Sequence, residues 1–414
     1  MNFTRAISIV AVLFGGIVCG TAIIPIYVPP EVAVTPPQHR FGYAADARAV
    51  VHNLGDELPA LRDVARFKPT PKGSSVKFWD YAKRINGGKH FPTFRQETGD
   101  CVSMGAANAI NYLQAVQLAR NRAQHQFRPA FQPYIYGISR TAEDLGNGRL
   151  GRSAGSLGVW AAQGVTKYGV LAADEEGVPE YSGDVANDWG YRGPPRQFID
   201  VATEFRVRSV AKVTTYEEAR DAIANGYPVT VASMQGFAGQ PRKSSGRLWG
   251  TPEGEWAHQM CFIAFDDEAR SPDGQSGGLY CLNSWGEAAH GEPLMGEPPG
   301  GFWVDVRTVN RMLAQDDSWA YSQFDGFPSQ NLDLDFTVFG DAMPAPRRLV
   351  DVDAFPSVTE MKTSFAEKSG VGEEFALTSG VFLLMVGAGG GFYASRKDDD
   401  CVCGAGEDGD AVDG

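Results

Sequence analysis

From Cys101 the chain sets apolar residues at helical spacing. Ile110, Leu113, Leu118 and a series of alanines form a stripe along CVSMGAANAINYLQAVQLARNRAQ, which predicts one long helix. Asp100, just before it, is a good N-cap. Leu157 to Tyr168 predicts a second helix ended by Gly169, and Tyr216 to Ala224 a third. The pattern then changes to short runs rich in β-branched and aromatic residues, parted by Gly, Pro and Asp. Tyr227–Ser233, Gln259–Phe265, Gly278–Asn283 and Gly301–Val306 each predict a strand. Helices first and strands second predict an α+β protein with the two kinds segregated, and no internal repeat is visible.

This patterning occupies residues from about Ser74 to Gln330, and the flanks differ from it. Ala6 to Val28 is an uncharged apolar run behind Arg5, which predicts an export signal or an N-terminal membrane anchor over residues 1–28. Residues 29–72, rich in Pro, Ala and charge without periodicity, are predicted to be a linker. Residues 331–374 extend the patterned region. Phe375 to Ser395 is a second uncharged run closed by Arg396-Lys397, which predicts a transmembrane helix over 375–395 despite its glycines. The acidic, glycine-rich residues 396–414 predict a disordered tail. Together the ends place the patterned region on the extracytoplasmic side of a membrane.

Composition narrows the function. The net charge of −13, with no large Lys/Arg cluster, excludes a nucleic-acid partner. The six cysteines are scattered through the chain, which argues against a disulfide scaffold. Cys401 and Cys403 lack the histidines of a zinc set, so no metal and no cofactor are expected.

One cysteine is placed for chemistry. The start of a helix favours a thiolate, because the unpaired N–H groups and the dipole stabilise negative charge, and Cys101 stands there. Gly99 before it would let a substrate backbone approach closely. Downstream, His258 precedes a hydrophobic strand and Asn283 follows another. An amide accepting from the imidazole N–H fixes the ring's tautomer and aims its other nitrogen at sulfur. A cysteine followed far downstream by His and Asn is the order of a papain-type nucleophile.

Gln96-Glu-Thr-Gly-Asp-Cys101, Trp256-Ala-His258-Gln-Met and Tyr280-Cys-Leu-Asn283-Ser284-Trp285-Gly286 resemble, in the same order, the three active-site segments of the papain-like cysteine peptidases. Thr215 to Val231 resembles the helix and strand that precede the histidine, and Gly164 to Leu171 the segment leading to the substrate cleft. The resemblance spans roughly residues 77–325. It implies a catalytic domain over 73–330 with a helical N-terminal lobe, an antiparallel β-rich C-terminal lobe and the active-site cleft between them. It also implies a peptide or protein substrate, a Cys101 thiolate paired with a His258 imidazolium, and a thioester acyl-enzyme. Gln96 and the Cys101 N–H would hold the oxyanion, and Trp285, beside Ser284, would shield the His258–Asn283 bond.

The chain departs from the family pattern at several points. Gln96 lies five positions before Cys101, one fewer than usual; Val102 replaces an aromatic residue; Thr98 stands in place of a disulfide cysteine; and His290 stands where a second Trp often follows. Asp100 puts a carboxylate beside the nucleophile, which raises a thiol pKa. No helical inhibitory prodomain is recognisable, and Gly236–Glu255 reads as an extra solvated loop. Two alternatives stand beside the endopeptidase reading: an amidase or transpeptidase acting on cell-wall peptides through the same thiol, and a papain-like binding protein without catalysis. Oligomeric state is left open.

Overall fold

A computed structural model of the protein describes residues 41–48, 58–121 and 126–332. A nine-stranded sheet dominates it. Its strands are β1 (Ser75–Lys77), β2 (Ser209–Lys212), β3 (Val229–Phe237), β4 (Arg242–Ser244), β5 (Arg247–Trp249), β6 (Pro252–Arg270), β7 (Ser276–Leu282), β8 (Gly301–Asp305) and β9 (Asp317–Ser322). They lie in the order β2-β9-β3-β6-β7-β8-β5-β4, with β1 added to β6. Every pairing is antiparallel except β5 with β8.

The helices are α1 (Ala45–Arg48), α2 (Leu61–Val64), α3 (Phe78–Ile85), α4 (Cys101–Asn121), α5 (Gln132–Thr141), α6 (Gly158–Lys167), α7 (Gly183–Arg192), α8 (Arg196–Ala202), α9 (Tyr216–Ala224) and α10 (Val306–Leu313). Helices thus prevail before residue 203 and strands after residue 208, with α9 and α10 set among the strands. The fold is α+β.

The continuous run Gln259–Phe265 has a physical reason. Successive strand residues face opposite sides of a sheet, and all seven of these are buried, so both faces of β6 are covered. Helix α4 packs on β6 with its small residues: a Cβ at Gly105 would stand 2.9 Å from Gln259 Cγ and 3.3 Å from the Met260 carbonyl oxygen. Helices α9 and α10 pack on β6, β3 and β7. A separate helical cluster joins Phe131, Tyr134, Ile138, Leu171, Trp189 and Phe198.

Some expectations are corrected. Asp100 does not cap α4 with its carboxyl group; its carbonyl oxygen accepts from Ser103 and Met104 N–H, at 3.0 and 3.2 Å. Its Oδ2 instead accepts from the Tyr181 hydroxyl, 3.1 Å away. Gly236–Glu255 is not a solvated loop: β3 runs on to Phe237, β4 and β5 form a hairpin, and β5 buries Leu248 and Trp249. Within the stretch read as a linker, Tyr43 pairs with Ser156, Ala60 with Lys212 and Ala65 with Phe327.

Both segments expected in the membrane, 1–28 and 375–395, lie outside the described residues, as do 396–414, Cys19, Cys401 and Cys403. No helix among the described residues is long and apolar enough to cross a membrane. The described cysteines, Cys101, Cys261 and Cys281, are free and buried.

Candidate active site

Three chain segments meet at the first turn of α4. Close packing of α4 on β6 brings the Gln259 N–H to 3.4 Å from Cys101 Sγ, so the thiol lies against the residue next to His258. The same glutamine ties the elements together, its Nε2 donating to the Val102 carbonyl at 2.8 Å. From the end of β7, Asn283 puts Oδ1 2.7 Å from His258 Nε2. The Ser284 N–H also donates to that Oδ1 at 2.7 Å, which fixes which end of the amide faces the ring. His258 Nε2 therefore carries the hydrogen, and Nδ1, which has no hydrogen-bond partner, carries the lone pair. The indole of Trp285 lies over the imidazole, ring centres 5.1 Å apart.

The remaining expected residues are also nearby. Ser284 Oγ donates to Gln96 Oε1 at 2.8 Å, and Gln96 Nε2 donates to the Thr98 carbonyl at 3.0 Å. Thr98 Oγ1 donates to Asn187 Oδ1 at 2.7 Å, so a hydrogen bond ties this loop to α7. Gly99 does permit a close backbone approach, but by the chain itself. A Cβ there would stand 2.8 Å from the Phe41 carbonyl oxygen.

Residues 41–44 form a strap across the nucleophile, which the sequence did not disclose. Gly42 and Tyr43 both donate their N–H to the carbonyl of Ala257, at 3.1 and 3.0 Å. Ser156 donates to the Gly42 carbonyl at 2.8 Å and accepts from Ala44 N–H at 2.9 Å, a parallel pairing. The Phe41 ring sits 6.3 Å from those of His258 and Trp285. Beneath the strap Cys101 is 0% exposed and His258 1%. The strap's hydrogen bonds to Ala257 and Ser156 run through backbone, which leaves no residue pattern to read.

This closure sets the electrostatics. Burial pushes the Cys101 thiol up to about 12; the Asp100 charge adds to the rise, and the N–H groups of Gln259, Gly42 and Val102 oppose it. Burial pushes His258 down to about 4 against the pull of its Asn283 bond. Burial beneath the strap thus disfavours the charged form of both groups and opposes the expected thiolate–imidazolium pair. The cause is desolvation of both groups by burial. Asp100, fully buried, is pushed up to about 7 by desolvation and held partly in check by Tyr181. Among the described residues no His, Cys, Asp or Glu cluster is arranged to hold a metal ion.

The α+β fold has solved counterparts, and the chain is similar in fold to papain-like cysteine proteases. Xylellain, a cysteine protease from Xylella fastidiosa, shares 16% identity over 70% of this chain and 98% of its own, with a TM-score of 0.45. A procathepsin B from Trypanosoma congolense shares 10% identity over 64% of this chain and 82% of its own, with a TM-score of 0.41. The cysteine protease and lectin-like domains of Cwp84, a surface-layer-associated protein of Clostridium difficile, share 13% identity over 69% of this chain and 60% of theirs, with a TM-score of 0.39. No protein-family model and no curated protein sequence matches the chain.

Proposed function

We propose that the protein is a cysteine-type endopeptidase in which Cys101 is the nucleophile, His258 the base and Asn283 the residue that orients the base. The observation that carries this reading is the tautomer of His258. With Nε2–H committed to Asn283 Oδ1 at 2.7 Å, the bare Nδ1 is the atom left to take the proton of a thiol held against Gln259.

In the proposed reaction the Cys101 proton passes to His258 Nδ1 and sulfur attacks the peptide carbonyl carbon. The oxyanion is held by the Cys101 N–H and Gln96, whose amide is anchored by Ser284 and Thr98. Collapse expels the amine, protonated by His258, and leaves a thioester. Water, deprotonated by His258, then attacks the thioester and releases the acid and the free thiol. Trp285 keeps water from competing for the His258–Asn283 bond, and Gly99 admits an extended backbone. The substrate lies in a cleft between the helical lobe and the β-rich lobe, where the strap now sits. The strap must therefore leave before turnover, and its departure hydrates the thiol and imidazole and favours their charged forms.

The experiment is iodoacetamide labelling followed by peptide mapping, on a chain carrying Gly42→Val to dislodge the strap. Alkylation of Cys101 in preference to Cys261 and Cys281 at pH 6 is expected, with loss of that preference in His258→Ala. Equal labelling with and without His258 would remove the base from the mechanism.

A further inference from the structure

We propose that His290 is a fourth member of the constellation, a positioning residue that holds the Asn283 amide from the side opposite His258. The inference rests on the peptidase reading above and extends it to a residue that the sequence presented only as a missing tryptophan. Asn283 Nδ2 lies 2.8 Å from His290 Nε2. An amide nitrogen only donates, so His290 Nε2 must be the bare acceptor and its hydrogen must sit on Nδ1. The other end of the amide is occupied as well, by Ser284 N–H and by His258 Nε2, both at 2.7 Å. Turning the amide over would set its NH2 group against the Ser284 N–H and the His258 N–H. It would also leave two ring nitrogens of opposite character mismatched. The Asn283 amide is thus fixed at both ends, and the proton on His258 is confined to Nε2.

The surroundings of His290 agree with a placed group. Its backbone has φ +65°, a region that non-glycine residues adopt seldom and at a cost. Its ring packs against Phe302 and Trp285, with centres 4.7 and 5.5 Å away. Burial, and after it the neighbouring His258, push His290 down to about 3, which favours the neutral ring with a bare acceptor nitrogen. A tryptophan at this place offers only an N–H donor and gives the Asn283 NH2 group no acceptor.

The test is nitrogen-15 NMR of histidine-labelled full-length chain, together with peptide turnover, for the wild type, His290→Phe and His290→Gln. In the wild type, His258 should be the Nε2–H tautomer and His290 the Nδ1–H tautomer. His290→Phe keeps the ring packing and removes the acceptor. It should turn His258 into a tautomer mixture and lower kcat roughly ten-fold with KM unchanged, the rate equivalent of one hydrogen bond. His290→Gln returns an acceptor oxygen and should restore both. An Nε2–H tautomer for His290 in the wild type overturns the proposal without any variant. So does a His258 tautomer indifferent to His290→Phe, or a kcat loss that follows thermal stability and that glutamine does not rescue. If the tautomers respond as expected while no peptide is turned over even with Gly42→Val displacing the strap, the positioning role stands and the peptidase reading falls.

Discussion

Asp100 and Cys101 are neighbours, both fully buried; burial makes each charge harder to hold, and the Asp100 carboxylate adds to the cost of a Cys101 thiolate. The carboxyl group has the more direct consequence for stability. Its proton is bound more tightly in the folded protein, up to about 7, than at its ordinary 3.8 in the unfolded chain. Asp100 therefore adds stability that is complete below pH 3.8 and is lost as the pH rises towards 7. Asp100→Asn keeps an acceptor for Tyr181 and abolishes the titration. The melting temperature of the variant relative to wild type should rise between pH 5 and pH 8, on the order of 5 °C. A difference that stays constant with pH would contradict the burial of this carboxyl group in a dry site. At this scale Cys101, His258 and Asn283 were legible because each sits in a short segment whose residue types serve one chemistry. The misreading of Asp100 as a side-chain cap came from a local rule that cannot see Tyr181, distant in sequence, claiming the carboxylate. His290 was noticed and its partner was not, since the contact depends on the fold of the loop after Trp285.

Helix α4 and the strap both depend on glycines facing backbone. A Cβ at Gly105 would stand within 2.9 Å of Gln259, the residue whose N–H meets the Cys101 sulfur, so Gly105→Val should separate α4 from β6. We expect a loss of about 2 kcal/mol in urea unfolding, together with a fall in kcat; a variant as active and stable as wild type would contradict the packing. At Gly42 a Cβ would meet the Gly99 carbonyl oxygen at 2.1 Å, a clash that only a movement of backbone can relieve. Gly42→Val should therefore expel the strap and speed alkylation of Cys101 at neutral pH by roughly ten-fold or more, the equivalent of at least one backbone hydrogen bond given up. An unchanged rate would mean that something other than residues 41–44 guards the thiol. The strands that bury both faces, β6 and β7, were the most legible elements because their runs are continuously apolar. The β4–β5 hairpin was read as a loop because Arg242–Ser244 and Arg247 are polar, although Arg247 is buried beside Leu248 and Trp249. The strap was hidden for a different reason: its hydrogen bonds to Ala257 and Ser156 are made by peptide groups, which every sequence possesses, and the Phe41 ring meets its partners only in the fold.

Across the whole molecule, the segment that leads into β1 is fastened to the sheet through Arg220 of α9. The guanidinium pairs with both oxygens of Asp267, at 2.7 and 2.5 Å, and donates to the carbonyls of Thr70 and Pro71 at 2.9 and 2.6 Å. Arg220→Ala leaves a largely buried carboxylate unpaired and should cost about 3 kcal/mol. Arg220→Ala combined with Asp267→Ala should cost less than the sum of the single changes, read by denaturant melts. Full additivity would show that the two side chains act independently. The order of helices and strands was legible from periodicity, and the α+β class followed from it. The pairing order of the sheet was not, because strands as alike as β3, β7 and β8 carry no mark of which neighbour each takes. The most direct measurement is turnover of a peptide library by the full-length chain, by the Gly42→Val form and by each of these with Cys101→Ala. Cleavage should appear with Cys101 present, be faster once the strap is displaced, and vanish in both alanine forms. Cleavage that persists without Cys101, or none from the Gly42→Val form with its thiol intact, would contradict the assignment of this sulfur as the nucleophile of a peptidase.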